Sequence, residues 1–525
     1  MAVTGFARTI IVLTTISAAI MELIDTSIVN VALAQISGNL GATIEDTSWV
    51  ITAYAIANVI IIPLTGFFAR LFGRKKYYLY SIILFTIASY MCSSADSLVM
   101  LVAWRFIQGI GGGALLSTSQ AILFDAFEPS KRPMAAGMFG MGIVLGPTIG
   151  PTLGGIIVDN YSWPLIFDIN IPFGIVAALL TLRFVPDDTE EQLAARKHVY
   201  IDYLGILFLI IGIGSLQYVL ERGEAEDWFD DGSIILLSMT AVAGLGSFIY
   251  RQLTVESPLI NLRVFKSQNL VASNILTFVL GFGLFGSVFI FPVLVQRVLG
   301  YTPTDAGFGL VPGAIVAIFC MPIIGKTMQN GLSPIIYVVI GCICFILHGY
   351  TSSLADPNAG LAFFTMPQIF RGVGTACLTV PLINQAVVGL SPKELPSGIA
   401  LTNMIRQLGG AFGIAVMNTY VAHRYVAHRT DLVSNLQASD PATLERLAAY
   451  QASMVGKGMD AATTATDASY RLLDLAVTKQ SFLLSYLDGF KLISLFFLAA
   501  IPIMFLLKTK KVDKATMQKI SEESH

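Results

Sequence analysis

Thr9-Ile10-Ile11-Val12-Leu13-Thr14-Thr15-Ile16-Ser17-Ala18-Ala19-Ile20-Met21-Glu22-Leu23-Ile24-Asp25-Thr26-Ser27-Ile28-Val29-Asn30-Val31-Ala32-Leu33-Ala34-Gln35 is an apolar run that holds two carboxylates and no Lys or Arg. A helix needs about 20 apolar residues to cross a bilayer, so this run can span one. With only Arg8 ahead of it, it is too long for the core of a signal peptide and reads as a retained first transmembrane helix. The same kind of run recurs along all 525 residues, of which 55% are hydrophobic and only 13% charged. A soluble domain carries roughly twice that charge, about 25%. These values, with a mean hydropathy of +0.72, exclude disorder, a coiled coil and an ordinary cytosolic enzyme. A net charge of -2 leaves no basic excess for nucleic acid. The fold class is an all-α polytopic membrane protein whose constant partner is the lipid bilayer.

Charges, glycines and prolines divide the apolar runs into fourteen spans, near 9–35, 47–69, 77–95, 99–124, 134–158, 164–185, 202–220, 232–250, 269–296, 304–326, 334–352, 361–389, 396–420 and 486–507. One set of connections holds twenty Lys and Arg, among them Arg70, Arg74, Lys131 and Lys326, whereas the alternate short loops hold only Arg222 and Arg297. The positive-inside rule then puts both termini in the cytoplasm. Arg105-Phe106-Ile107-Gln108-Gly109-Ile110-Gly111 in the fourth span is echoed by Gln368-Ile369-Phe370-Arg371-Gly372-Val373-Gly374 in the twelfth, and Pro63-Leu64-Thr65-Gly66 by Pro322-Ile323-Ile324-Gly325. This register fits six helices, an inserted pair, and six more. The expected units are 1–195, 196–255 and 256–525, the last including an outward loop 421–485 and a basic cytoplasmic tail 508–525. Parallel six-helix repeats are a transporter architecture, with the substrate site between the halves near the midplane.

Two motifs suggest moving parts. Gly66-Phe67-Phe68-Ala69-Arg70-Leu71-Phe72-Gly73-Arg74-Lys75-Lys76 places glycines at a tight basic turn. The fifth span has Gly142, Gly146, Gly150 and Gly154 on one face for close helix contact, and Pro147 and Pro151 to loosen its hydrogen-bond ladder. Other patterns carry no chemistry. Cys92, Cys320, Cys342, Cys344 and Cys377 lie inside apolar runs without metal or disulfide spacing and read as packing. Gly325-Lys326-Thr327 has Cys320 where a phosphate loop needs glycine, and the Gly109–Ala114 glycines sit within a span. Neither supports an enzyme. His423 and His428 read as solvated rather than as metal ligands, so no metal is expected.

Taken together, Leu23-Ile24-Asp25-Thr26-Ser27-Ile28-Val29-Asn30-Val31-Ala32-Leu33, Trp49-Val50-Ile51-Thr52-Ala53-Tyr54, the loop and fifth-span motifs, Arg105 with its glycines, Ile405-Arg406-Gln407-Leu408-Gly409-Gly410 and the long last outward loop resemble the EmrB/QacA-type fourteen-helix drug:proton antiporter family of the major facilitator superfamily, in its EmrB branch. The resemblance implies a major facilitator fold with fourteen transmembrane helices and a proton-driven multidrug efflux transporter of the bacterial inner membrane. It also implies a periplasmic membrane-fusion adaptor and an outer-membrane channel as partners, with H⁺ as coupling ion and no cofactor. Three departures stand out. Arg70 occupies the place of the usual loop Asp, Asp168 is an extra acid, and the tenth-span acid of some relatives is missing.

Intramembrane carboxylates are costly and mark functional sites by default. Glu22 and Asp25, three residues apart, share a helix face, where two like charges resist ionising together. Asp25 reads as the proton site and Glu22 as a tuning or drug-binding acid, with Arg105 as counter-charge; the alternative for each is a structural ion pair. Arg371 and Arg406 read as polar sites that hold helices together in the second half. Tyr54, Asn58, Phe285 and Phe289 are cavity-lining candidates for amphipathic drugs. Competing functions are an exporter of a native metabolite such as a siderophore or fatty acid, and a membrane channel or sensor.

Overall fold

The computed structural model describes residues 5–187, 200–255, 258–388, 390, 394–437, 439–457, 459–460 and 464–507. Among these are fourteen helices that fall on the expected spans: α1 (Gly5–Leu40), α2 (Trp49–Phe72), α3 (Arg74–Ser93), α4 (Leu98–Asp125), α5 (Arg132–Asn160), α6 (Asn170–Phe184), α7 (Tyr203–Arg222), α8 (Gly232–Thr254), α9 (Gln268–Arg297), α10 (Pro303–Gln329), α11 (Pro334–Ser352), α12 (Leu361–Gln385), α13 (Leu395–Ser434) and α14 (Thr464–Ala500). Twelve apolar stretches, some of which join a long helix to a short neighbour, are long and apolar enough to cross a bilayer. The remaining two long helices, α3 and α12, begin with a basic turn or carry Gln368 and Arg371, and they pack among the others. All fourteen expected spans are helical. The basic tail, Lys393 and the Arg196-Lys197 stretch of the topology count lie outside the described residues.

Helix ends differ from the sequence expectation where polar residues can still pay into a helix. In the segment 421–485, expected to face outward, the described residues are largely α-helical. α13 runs unbroken to Ser434 and α14 starts at Thr464, with a helix Pro441–Val455 between them that Asp440 caps through the Thr443 amide. Ala and Leu are the commonest residues here, both good helix formers. The sixth span is split into a short helix Leu165–Asp168, in which Asp168 is half-buried, and α6. Gly73 joins α2 to α3 at φ +88°, a conformation that a side chain resists.

α5 lies between two partners. Its Gly146, Gly150 and Gly154 meet α1 so closely that a Cβ at Gly150 would stand 3.1 Å from the Ile24 carbonyl oxygen, and one at Gly154 3.0 Å from that of Ile28. Its other face meets α10 in the second half, at Gly137 against the Met321 carbonyl and at Thr152 against Gly307. α2 and α13 form a second contact between halves, where Gly66 approaches Pro396 and Ser397. The inserted pair α7 and α8 packs together, with α7 against α2 and α13.

The end of the bundle that carries Arg70, Arg74 and Lys131 is closed across the halves. One apolar cluster there joins Val12, Phe124 and Phe139 of the first half to Met321, Val380 and Ile399 of the second. Asn403 of α13 also donates to Ser117 (3.2 Å) and Gln120 (3.0 Å) of α4. Arg74 forms an ion pair with Asp125. Arg70 does not act as the loop acid would; its Nη2 donates to the Leu259 carbonyl at 3.0 Å and ties α2 to the segment after α8. At the opposite end the first-half cluster of Ile28, Ile36, Val50 and Phe167 stays within that half, and the large second-half cluster from Ala272 to Leu507, which runs the length of its half, stays within it.

Candidate functional site

Asp25 sits on the inner face of α1, fully buried, and its carboxylate is saturated with donors. Arg105 Nη1 donates to Oδ2 at 2.5 Å, and Gln108 Nε2 and Asn170 Nδ2 each donate to Oδ1 at 2.9 Å. Arg105 is itself held on every side. Nη1 also donates to Gln108 Oε1 (2.6 Å) and Nε to the Val50 carbonyl (3.1 Å), while the guanidinium lies 4.1 Å from the Tyr54 ring centroid and 5.5 Å from that of Phe167. Ser89 Oγ accepts from Gln108 (2.7 Å) and completes the network. An ion pair this deep costs several kcal/mol of desolvation per ion, and only such full hydrogen bonding offsets it.

Glu22 lies one turn nearer the basic end and is equally buried, but it is far less satisfied. Asn58 Nδ2 donates to its Oε1 at 2.9 Å, whereas Oε2 has no partner among the described residues. Its electrostatic neighbours are Asp25 and, from the second half, Arg406. The two acids therefore share a helix face and differ in environment. Asp25 is locked into a closed network, and Glu22 faces the other half with an unfilled acceptor.

The helix contacts explain this placement. Tyr54 and Asn58, four apart on α2, face α1, and Gly109 and Gly113 let α4 approach them. A Cβ at Gly109 would meet Ala57 Cβ at 2.9 Å, and one at Gly113 would meet the Asn58 carbonyl at 2.6 Å. The motif around Arg105 is thus both a charge and the packing surface that delivers it. Gly142, Gly146, Gly150 and Gly154, with Pro147 and Pro151 inside the helix, seat α1 from the other side.

Other sequence candidates lie elsewhere. Arg371 is buried in the second half, with Nε on Gln368 Oε1 (2.6 Å) and Nη2 on the Leu310 carbonyl (3.4 Å), and makes no ion pair among the described residues. Arg406 is 3% exposed, and its Nε and Nη2 have no hydrogen-bond partner among the described residues. Phe285 rests against Gly410 in the contact of α9 with α13, and Phe289 packs on the second-half core. His428 is not a solvated residue: its Nε2 lies 2.8 Å from Asp488 Oδ2, in a cluster with Arg424 and Lys491. The five cysteines are free thiols, buried or half-buried.

Sequence reasoning missed Gln108, Asn170, Ser89 and Phe167 around the Asp25–Arg105 pair, and Asp125 as the partner of Arg74. Gln108 stood three residues after Arg105 within the repeated motif, a spacing that places the two on one face. A polar Asn170 beside an apolar run was also visible. Ser89 and Phe167 carry no signal of their own in a chain so rich in both kinds of apolar-run residue.

Residues 15–414 match the family described as the Major Facilitator Superfamily. The chain is 36% identical over 431 residues to the multidrug export protein EmrB of Escherichia coli K12, covering 81% of this chain and 82% of that protein. It is 34% identical to the fatty acid resistance protein FarB of Neisseria gonorrhoeae, covering 94% of each. Among solved structures, the human organic anion transporter MFSD10 aligns with a TM-score of 0.59 at 14% identity over 95% of this chain and 99% of that one. The proton:xylose symporter XylE aligns at 0.54 and 13%, over 94% and 96%. Both likenesses concern the fold.

Proposed function

Because the chain belongs to the major facilitator superfamily, in its EmrB-type family of membrane transporters rather than to any enzyme class, we propose that it is a proton-driven exporter of amphipathic drugs. The observation that carries this reading is the buried Asp25–Arg105 pair on a helix that also presents Glu22 to the opposite half. A proton on Asp25 and an ion pair with Arg105 exclude each other, because the neutral acid gives up its attraction for the guanidinium. Loading the proton therefore frees Arg105 from its anchor, and α5, with Pro147 and Pro151 and a glycine face against α1, is the helix placed to pass that change to α10. Glu22, with Tyr54 and Asn58 beside it, supplies a carboxylate for the drug's cationic or donor group. One charge falling through about 150 mV releases roughly 3.5 kcal/mol, enough for a concentration ratio of a few hundred.

The remaining assignments follow the charge pattern. The basic end is cytoplasmic by the positive-inside rule, so the arrangement described above is closed to the cytoplasm, in a bacterial inner membrane with both termini inside. The helical extensions of α13 and α14, with the helix Pro441–Val455, then project outward as a dock for a periplasmic adaptor that leads to an outer-membrane channel. Exposed Val426, Val433, Leu444, Tyr470 and Leu475 give that projection apolar contact points. Deleting 430–478 should spare transport in inverted vesicles and abolish resistance in cells; equal loss in both would remove the docking role. The name of FarB favours a second reading, export of a native fatty acid.

The test of proton drive is accumulation of a fluorescent lipophilic drug in inverted vesicles energised by a pH gradient. Accumulation should stop when the gradient is collapsed and should not need ATP. Accumulation that survives collapse would overturn proton drive.

A further inference from the structure

Arg406 has a property that the exporter reading does not use. Asn403, three residues earlier on α13, reaches Ser117 and Gln120 across the interface, so this face of the helix is turned toward the first half. Arg406 follows on it, buried, with its charge felt by Glu22. Its Nε and Nη2 are buried N–H donors without a hydrogen-bond partner among the described residues. These two N–H groups share one edge of the guanidinium plane, the edge that takes both oxygens of a carboxylate in parallel. Glu22 does not fill it: its Oε1 is taken by Asn58, its Oε2 is itself unpartnered, and no ion pair joins the two residues. A buried guanidinium with an unused fork is costly, and an aromatic ring stands one turn further along α13, where Phe285 packs on Gly410.

We infer that the Nε–Nη2 edge of Arg406 is a binding subsite for the carboxylate of an amphiphilic substrate whose apolar part lies along Phe285. This rests on the reading of the chain as an exporter and adds the chemical class that one half of the site selects. Glu22 is the competing charge. Ionised, it repels the incoming carboxylate, so it tunes how tightly Arg406 holds it. The site would thus handle donors or cations through Glu22 in the first half and carboxylates through Arg406 in the second.

The experiment is calorimetric binding to the purified full-length chain, with 4-phenylbutyrate, its methyl ester and tetraphenylphosphonium as probes. The wild type should bind phenylbutyrate at least about tenfold more tightly than the ester, the span expected of hydrogen bonds to a charged group. Arg406→Lys keeps the charge and removes the fork, and should weaken phenylbutyrate about tenfold more than it changes tetraphenylphosphonium. Glu22→Gln should tighten phenylbutyrate. Equal binding of acid and ester by the wild type, which needs no variant to fold, would overturn the subsite, as would an Arg406→Lys protein that binds the acid like wild type. If tetraphenylphosphonium binds and phenylbutyrate does not, the subsite falls and the exporter reading stands. If neither binds and no drug moves in vesicles, both fall.

Discussion

Arg105 and Arg371 belong to matching glycine-bearing motifs on buried helices of the two halves, with the Arg and Gln positions exchanged (Arg105 aligns with Gln368, Gln108 with Arg371), and their surroundings diverge. Arg105 meets Asp25 at 2.5 Å within a network that saturates both charges. Arg371 meets only the Gln368 side chain and the Leu310 carbonyl. What the halves share is the packing device: Gly109 and Gly113 let α4 close on α2, as Gly372 lets α12 close on Gly313 of α10. The acid is what they do not share. The repeat therefore builds two similar scaffolds, and one acid on α1 gives the first half a buried ion pair that the second half lacks among the described residues.

The largest effect should come from breaking that pair on one side. Asp25→Leu strands the Arg105 charge in the bundle and should cost about 3–5 kcal/mol of stability, read as a large loss of thermal midpoint in detergent. Removing both members in Asp25→Leu, Arg105→Met should be much milder than the sum of the singles. A strictly additive double mutant would show that the two are not coupled. The corresponding change in the other half, Arg371→Met, strands no carboxylate but leaves the Gln368 amide oxygen unpaired, so about 1–3 kcal/mol is expected. A loss as large as that of Asp25→Leu would erase the contrast between the halves.

Smaller effects probe how α5 seats the acids. Gly150→Ala brings a Cβ to 3.1 Å from the Ile24 carbonyl and should cost about 1–3 kcal/mol, with slower transport, because it wedges α1 from α5. Gly155→Ala, whose nearest neighbour is Thr304 Oγ1 at 3.5 Å, should stay within about 0.5 kcal/mol of wild type. Reversal of this order would mean that the glycine face toward α1 is not the tight one.

Much of this was legible before any coordinates. Span number, the repeat and the two first-span acids follow from apolar runs and from charges that have no business in them. The glycine rows at a spacing of four announced close helix contacts, though not which helix each would meet; α5 turned out to serve α1 and α10 on opposite faces. The split between Asp25 and Glu22 could not be read, because it depends on Gln108, Ser89 and Asn170 arriving from three other helices. In the segment 421–485 the Ala-rich stretch near 441–449 reads as helix-like from its composition, but the extensions of α13 and α14 do not, since polar residues outside a bilayer hide helices from a hydropathy reading. Arg70 shows the same limit: its partner is a backbone carbonyl of Leu259, and carbonyls have no sequence signature.

The most direct test of the pairing of Asp25 with Arg105 as the coupling element is drug-induced proton release from the purified protein in weakly buffered detergent, followed with a pH indicator. Wild type and Arg371→Met should release protons when a transported drug is added, and Asp25→Asn should bind the drug while releasing none. Proton release from Asp25→Asn equal to that of wild type would contradict the assignment and move coupling to another group.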